Sequence, residues 1–451
     1  METFYQQIAA ELECNIRDGY YKNTRKLPSV RELCARYGCS KSTVIKAFDT
    51  LKSKHIVYSV PQSGYYLVEN CLRRMEESTG VIDFSTGNPV IGDAYLPDLK
   101  HCLDRAVDIG QNYSLSRHLH GTESLRNLLP NYLADFQVFT SVPNIFINLG
   151  VQQALSILTR MPFPNGRDRI LVEQPTYRFF IEFLKYHGAG ILGIARDEKG
   201  IDLDRLESLF KTANIKFFYT VPRNHNPLGT AYSAGQRKAI ARLAARYDVY
   251  IVEDDYFGDV VTDVRYDPIY AYGDHYHHIY LKSFSKIMPW FRIGIMVVPT
   301  HLTELFAEHI WFSYFSSYFS ASLVSQATLD IYIRSNILKK QAASIKKELD
   351  GRLKCLQPEL RRLQKNGVRY VGGQCGFYSY LKLPGNLDEQ QLIHELGRQN
   401  VLVTPGRFYY AEDAAYEKGI RLSIARTDAA RIKKGLSIIN ETLENMGRGR
   451  V

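Results

Sequence analysis

Cysteine is scarce in this chain. Seven cysteines are scattered over 451 residues, and the nearest pair, Cys34 and Cys39, has a spacing that fits no common zinc pattern. An odd count without a leader argues against a disulfide framework and for reduced thiols in the cytoplasm. Long apolar runs are missing as well. No stretch of about 18 apolar residues exists, so no membrane span is expected. The chain opens Met-Glu-Thr-Phe-Tyr, without a basic-then-apolar leader. Neither an internal repeat nor a low-complexity tract is present.

What is present is enough apolar residue, 45%, to bury sizeable cores. The length suits two or three domains. Formal net charge is +10 and unevenly spread. Between Tyr20 and Val68 nine Lys and Arg oppose only Glu32 and Asp49, a net of +7. Such clustering on a helical pattern points to a polyanion partner rather than a merely solvated face.

The first seventy residues read as helix, helix, turn, helix, hairpin. Phe4, Ile8, Leu12 and Ile16 recur every four residues and predict an amphipathic helix. Ser29 and Glu32 form a capping box for a second helix, with an apolar face of Val30, Leu33, Cys34 and Tyr37. Gly38 ends it in the left-handed region. Ser40 caps a third helix, Lys41 to about Lys52, with Val44, Ala47, Phe48 and Leu51 inward. Ile56–Tyr58 and Tyr65–Val68, joined by Ser59–Gly64, predict a hairpin. This layout is a winged helix-turn-helix, mostly α with a β-hairpin wing. Its third helix presents Ser40, Lys41, Ser42 and Thr43 to base edges, with Lys46 one turn on. Arg31 suits a phosphate or a base, and the wing tip Gln62-Ser63-Gly64 can enter a minor groove.

Leu27-Pro28-Ser29, Arg31-Glu32-Leu33, Ser40-Lys41, Thr43-Val44, Leu51 and Gly64 carry a resemblance to the GntR family of bacterial winged-helix regulators. That family usually has Arg where this chain has Lys41. Lys keeps the charge but loses the bidentate fork for guanine. The DNA-binding domain is expected over residues 1–69, followed by a short charged linker at 70–80.

From Val81 apolar runs alternate with amphipathic helices, the α/β pattern. Ser283-Phe284-Ser285-Lys286 follows the strand-like Ile279-Tyr280-Leu281. It can place two hydroxyls on a phosphate and one amine on an aldehyde, which suits pyridoxal 5′-phosphate (PLP) held as a Schiff base on Lys286. Other predicted strands also end in polar groups, where α/β sheets bind ligands. Ile145–Ile147 leads to Gly150-Val151-Gln152, and a glycine there lets helix amides converge on an anion. Ile170–Val172 leads to Pro175-Thr176-Tyr177. Phe217–Tyr219 leads to Asn226-Pro227-Leu228-Gly229. Val249–Val252 leads to Glu253-Asp254-Asp255-Tyr256, a polar strand end for which the plainer alternatives are a solvated loop or a metal site. It has no His or Cys at ligand spacing, so no metal site is expected.

Gly-x-Gln, Pro-x-Tyr, Asn-Pro-x-Gly, Asp-x-Tyr, Ser-x-Ser-Lys and Arg421-Leu422-Ser423, in this order, resemble the fold-type-I aminotransferases over residues 81–447. The implied large subdomain spans about 115–310. The small one takes about 335–447 plus 81–114. Joined to the winged helix, the chain is similar to the MocR subfamily of GntR regulators. The resemblance implies that Lys286 carries PLP and Asp254 pairs with the pyridine nitrogen. Asp255 competes, and only spacing to Tyr256 favours the first. Tyr256 and Asn226 would bond the ring oxygen, and Tyr177 would stack on the ring. Gly150, Val151, Gln152, Ser283, Ser285 and Arg292 would hold the phosphate, and Arg421 a ligand carboxylate. Val151 replaces a usual hydroxyl residue. One residue is missing from the usual Pro-Gly turn before Arg292, with Trp290 in the Gly place.

The expected protein is a cytoplasmic, homodimeric regulator whose operator is double-stranded DNA and whose effector is an amine, an amino acid or PLP itself. A dimer would complete each pocket from the partner chain, with Tyr113 a candidate donor. Effector exchange at Lys286 would alter the DNA heads. The rival readings are an active aminotransferase with a DNA-binding appendage and a cofactor-free scaffold that dimerises the heads. Lys41→Ala is expected to weaken operator binding. Arg31→Ala should flatten the plot of log affinity against log salt by about one unit. Anisotropy titrations across salt concentrations check both, and salt-independent binding by the full chain excludes this DNA contact.

Overall fold

The computed structural model describes residues 3–21, 24–68, 80–89, 92, 95–110, 119–260, 266–313 and 321–448. The expected linker, apart from Gly80, and Tyr113 lie outside the described residues. The chain divides into two compact units, Met1–Gly80 and Val81–Val451.

The first unit has helices α1 (Phe4–Arg17), α2 (Val30–Tyr37) and α3 (Lys41–Ser53), then strands β1 (Val57–Val60) and β2 (Gly64–Leu67). Local chemistry sets the boundaries. The Glu32 amide donates to Ser29 Oγ at 3.2 Å, and the Ser29 amide donates to Glu32 Oε2 at 2.6 Å. Gly38 ends α2 at φ +60°. Ser40 Oγ accepts from the Thr43 amide at 3.3 Å and starts α3. Leu33, Val44, Ala47, Phe48 and Leu51 are fully buried against Ile8 and Leu12. Phe4 does not join them. It is 49% exposed, so the buried stripe of α1 is narrower than its period suggested. Of the expected α2 face, only Leu33 is fully buried. The hairpin pairs Val60 with Gly64, so its turn is Pro61–Ser63 and β1 runs two residues further than expected. Phe48 stacks on Tyr65, centroids 3.7 Å apart, and ties the wing to α3. Arg31, Ser40, Lys41, Ser42 and Lys46 are exposed and Thr43 is half-buried. The Ser63 hydroxyl is engaged with Tyr66 Oη at 2.5 Å beside Gly64.

In the second unit β3 (Ile82–Asp83) pairs in parallel with β14 (Val401–Leu402). The main sheet comprises β4 (Ile145–Asn148), β5 (Arg169–Gln174), β6 (Ile191–Asp197), β7 (Gly200–Ile201), β8 (Ile215–Thr220), β9 (Tyr250–Asp255), β10 (His278–Ser283) and β11 (Gly294–Val297). Its order is β4-β11-β10-β9-β8-β5-β6-β7. The inner strands β10, β9, β8, β5 and β6 are parallel, while β11 runs against β4 and β10. Strands β8, β9 and β10 are buried along their whole length, as a sheet covered on both faces requires. The strands β12 (Arg369–Gly372), β13 (Tyr378–Lys382), β15 (Thr404–Pro405) and β16 (Gly419–Ser423) form a second, antiparallel sheet in the order β12-β13-β16-β15. This is the α/β fold-type-I architecture. Glu253, Asp254 and Asp255 are the last residues of β9 and are buried, so the polar end expected beyond Val252 is itself part of the strand. No helix among the described residues is long and apolar enough to cross a membrane.

Phe48→Ala should remove about 3–5 kcal/mol from the first unit, a large share of a small domain's stability. Ile45→Ala, at a 41% exposed position of the same helix, should change little. Urea denaturation of a fragment comprising residues 1–80 checks the contrast.

Candidate functional site

Parallel strands aim their C-terminal ends at one cavity of about 470 Å3. One end is built for an anion. The helix Gly150–Arg160 starts there, with Gly150 at φ +71° and Val151 and Gln152 in its first turn. Its unbonded amides and dipole favour negative charge. The approach is tight: a Cβ at Gly294 would lie 2.7 Å from the Gly150 carbonyl carbon and 2.9 Å from the Val151 nitrogen. Ser283 and Ser285 line the same end, their hydroxyl oxygens 2.9 Å apart. Arg292 reaches it despite the shortened turn, by adopting φ +52° and donating from Nη2 to Gln152 Oε1 at 2.8 Å. Trp290 points outward, 55% exposed.

Lys286 stands at the centre. Its Nζ donates to the Gly87 carbonyl at 2.9 Å and to Asn88 Oδ1 at 3.3 Å. Burial, helped by the Arg421 charge, lowers its pKa to about 8, against the pull of Asp254. Strand alternation sends Asp254 and Asp255 to opposite faces. Asp255 accepts from Arg223 Nε at 2.6 Å and Nη2 at 2.5 Å, and from Tyr280 Oη at 2.5 Å. Burial alone would raise its pKa, but the Arg223 charge and hydrogen bonds outweigh that and hold it below the usual value. Asp254 Oδ2 accepts from Tyr219 Oη at 2.8 Å, while its buried Oδ1 has no partner. Burial raises Asp254 to about 7, offset only in part by Tyr219. An unpartnered buried carboxylate oxygen calls for a donor. Of the two aspartates, the one that spacing favoured is the one with a free oxygen.

Tyr177 lines the cavity and accepts from Gln152 Nε2 at 2.9 Å. Asn226 Oδ1 accepts from Arg421 Nη1 at 3.3 Å, which leaves its amide nitrogen available. The Tyr256 hydroxyl donates to the Asn224 carbonyl at 2.5 Å. Arg421 is buried, donates from Nη2 to Ser85 O and Thr404 Oγ1, and keeps an unpartnered Nε. Reasoning from sequence missed Ser85–Asn88, Tyr219, Arg223, Tyr378 and Thr404. The turn-forming run Thr86-Gly87-Asn88-Pro89 was the available signal for the first group. A side chain at Gly87 would collide with the Tyr378 hydroxyl. Nothing in the sequence marked Tyr219 or Arg223, which act across strands. Among the described residues no cluster could hold a metal ion.

Residues 79–439 match the family model Aminotransferase class I and II, and residues 4–67 match Bacterial regulatory proteins, gntR family. The HTH-type transcriptional regulator YcxD of Bacillus subtilis is 38% identical, over 96% of this chain and 98% of its own. Aromatic-amino-acid aminotransferase 1 of Thermococcus litoralis is 26% identical over 83% of this chain and 90% of its own. The crystal structure of a multiple substrate aminotransferase from Thermococcus profundus superposes with a TM-score of 0.73, at 25% identity, over 85% of this chain and 97% of that one. The chain therefore belongs to the class I and II aminotransferase family, in the branch of HTH-type regulators that carry a gntR-family domain ahead of it. That fold family is PLP-dependent. The residues present fit the group: an anion cradle and an amine of lowered pKa line one cavity, and the unpartnered buried oxygen of Asp254 belongs to a carboxylate whose charge acts on that amine.

The two aspartates should respond oppositely to amidation in the cofactor-free protein. Folded Asp254 holds its proton to about pH 7, whereas unfolded it releases it near 3.8, so stability falls as pH rises through that window. Asp254→Asn should remove this loss and stabilise the protein at pH 8. Asp255→Asn leaves Arg223 buried beside a neutral amide and should cost about 3–5 kcal/mol. Denaturation at pH 5 and pH 8 checks both.

Proposed function

We propose that this transcriptional regulator binds PLP at Lys286 and senses an amine or amino acid there, altering its hold on an operator. When bound, PLP supplies an aldehyde that exchanges amines reversibly and a pyridine ring that accepts electrons. What supports this reading is the unpartnered Asp254 oxygen, on a carboxylate whose charge acts on the cavity-lining Lys286, in a chain whose other unit is a winged helix.

The protein's own groups divide the work. Lys286 Nζ, lowered to about 8, is neutral often enough near physiological pH to attack an aldehyde. Asp254 Oδ1 would receive the pyridine N–H and keep it protonated. Tyr177 would hold the ring, and Asn226 would offer its amide nitrogen to the ring oxygen. Tyr256 would share that bond on leaving the Asn224 carbonyl. The amides of Gly150, Val151 and Gln152, the hydroxyls of Ser283 and Ser285, and Arg292 would hold the phosphate. Arg421 exchanges the Ser85 carbonyl for a ligand carboxylate. In the head, Lys41, Ser42, Thr43 and Lys46 face the major groove from Ser40 onward. Arg31 contacts a phosphate, and Ser63 and Gly64 reach the minor groove. A homodimer in the cytoplasm would present two heads to two half-sites.

A second reading, a working aminotransferase, is favoured by the same lysine. Its lowered pKa suits it to carry a proton in the neutral range. Borohydride treatment of the PLP-loaded protein should fix a phosphopyridoxyl group on the peptide containing Lys286, and Lys286→Ala should abolish it. A label on another lysine overturns the assignment. Catalytic release of keto acid from an amino acid favours the enzyme reading.

A further inference from the structure

The cavity has a cation that neither the anion cradle nor the Arg421 end employs. Arg178 is the first residue of the helix Arg178–Tyr186, directly after Tyr177, and it lines the cavity. Its guanidinium lies 4.0 Å over the Phe408 ring and 5.6 Å from that of Phe179. Two aromatic faces therefore hold its plane. Nε donates to Glu182 at 2.7 Å, and the pair is partly exposed, 32% and 45%. Both amino groups of the guanidinium fork, Nη1 and Nη2, are left without a bond to any described residue. An ordinary surface pair of this i,i+4 kind contributes little and has no need of two stacked rings at the rim of a cavity.

The charge around the cavity is one-sided. Arg178, Lys286, Arg292 and Arg421 line it, and no Asp or Glu does so among the described residues. A phosphate answers Arg292 and a carboxylate answers Arg421. Arg178 remains as a planar, always-charged fork, the group that recognises a carboxylate in two-point geometry.

We infer that the ligand of this site is an acidic amino acid, whose terminal carboxylate is received by Arg178. This rests on the reading that the Lys286 cavity holds PLP and takes an amino acid through Arg421. Arg178 is then a specificity-determining residue. A neutral amide in place of the terminal carboxylate loses the charge. A terminal ammonium meets repulsion, so lysine, ornithine and diamines are rejected.

The PLP-loaded full chain is titrated with glutamate, glutamine, aspartate, asparagine, norvaline and lysine, following visible absorbance and thermal midpoint. At least one acid should bind more tightly than its amide by roughly ten- to a hundredfold, the range for a charge-assisted hydrogen bond. Arg178→Gln should erase that ratio while leaving affinity for the amide within about threefold, since the amide never used the charge. Arg178→Lys should restore part of the preference, and Glu182→Gln should keep or raise it. Equal binding of acid and amide by the unmodified protein overturns the inference. So does an equal loss for both ligands in Arg178→Gln, or loss of the preference in Glu182→Gln. If glutamine, asparagine and norvaline are silent along with the acids, the amino-acid reading of the cavity has failed as a whole. If they bind and the acids gain nothing, only the role of Arg178 has failed.

Discussion

The buried pair of Arg223 and Asp255 fixes the chemistry of this domain. Two adjacent carboxylates at the end of one strand would repel each other beneath a small cavity. Arg223 takes both oxygens of Asp255 on one face of the sheet, and Tyr280 adds a third hydrogen bond. Asp254, on the other face, is left with one phenol and one unpartnered oxygen. A doubled acidic run thereby becomes one structural carboxylate and one available carboxylate. Breaking the structural pair would strand a guanidinium in the core, which is why the arrangement resists change.

The same loop carries further consequences. Arg223 opens the segment that holds Asn224, His225 and Asn226. His225 sits against the buried Glu173, which also receives Arg196, Thr220 and Tyr232. Burial, with the neighbouring Arg196 charge, lowers His225 to about 4, so it is neutral at ordinary pH. The loop is thus anchored by two buried carboxylates, and it delivers Asn226 to Arg421. On the opposite wall, Ser85 and Gly87 offer carbonyls to Arg421 and Lys286. Both ligand-directed cations therefore hold the segment that follows Gly80, the last residue of the unit bearing the winged helix. Under the proposed function, a ligand that claims either cation would compete with this segment.

Sequence made much of this legible where the signal is local. The Ser29–Glu32 capping box, the Ser40 cap, the left-handed Gly38 and the period of α3 placed the winged helix, because helix ends and faces are written in short-range patterns. Five buried strands were visible as apolar runs, and Ser283–Lys286 and Gly150–Gln152 were visible as polar groups at their ends. What stayed hidden was set by partners distant in sequence. Phe4 has the right spacing yet meets no core. The hydrogen bond that the Tyr256 hydroxyl donates to the Asn224 carbonyl is one that no spacing reveals. The depth of Glu253–Asp255 depends on Arg223 and on the Ile269 and Tyr270 amides, which no spacing reveals. Arg292 lines the cavity with its backbone at a positive φ, a conformation that no sequence motif marked.

The proposed coupling between the Lys286 cavity and the DNA heads must be reciprocal, as any coupling between two binding sites is. The most direct measurement is the affinity of the full chain for DNA from its own upstream region, with and without PLP and ligand, beside the ligand affinity with and without that DNA. The two ratios should be equal, within the roughly 5- to 150-fold span of typical allosteric coupling, and Lys286→Ala should abolish both. DNA affinity indifferent to cofactor and ligand, alongside steady release of keto acid, would contradict the regulator reading and leave an enzyme with an appended winged helix.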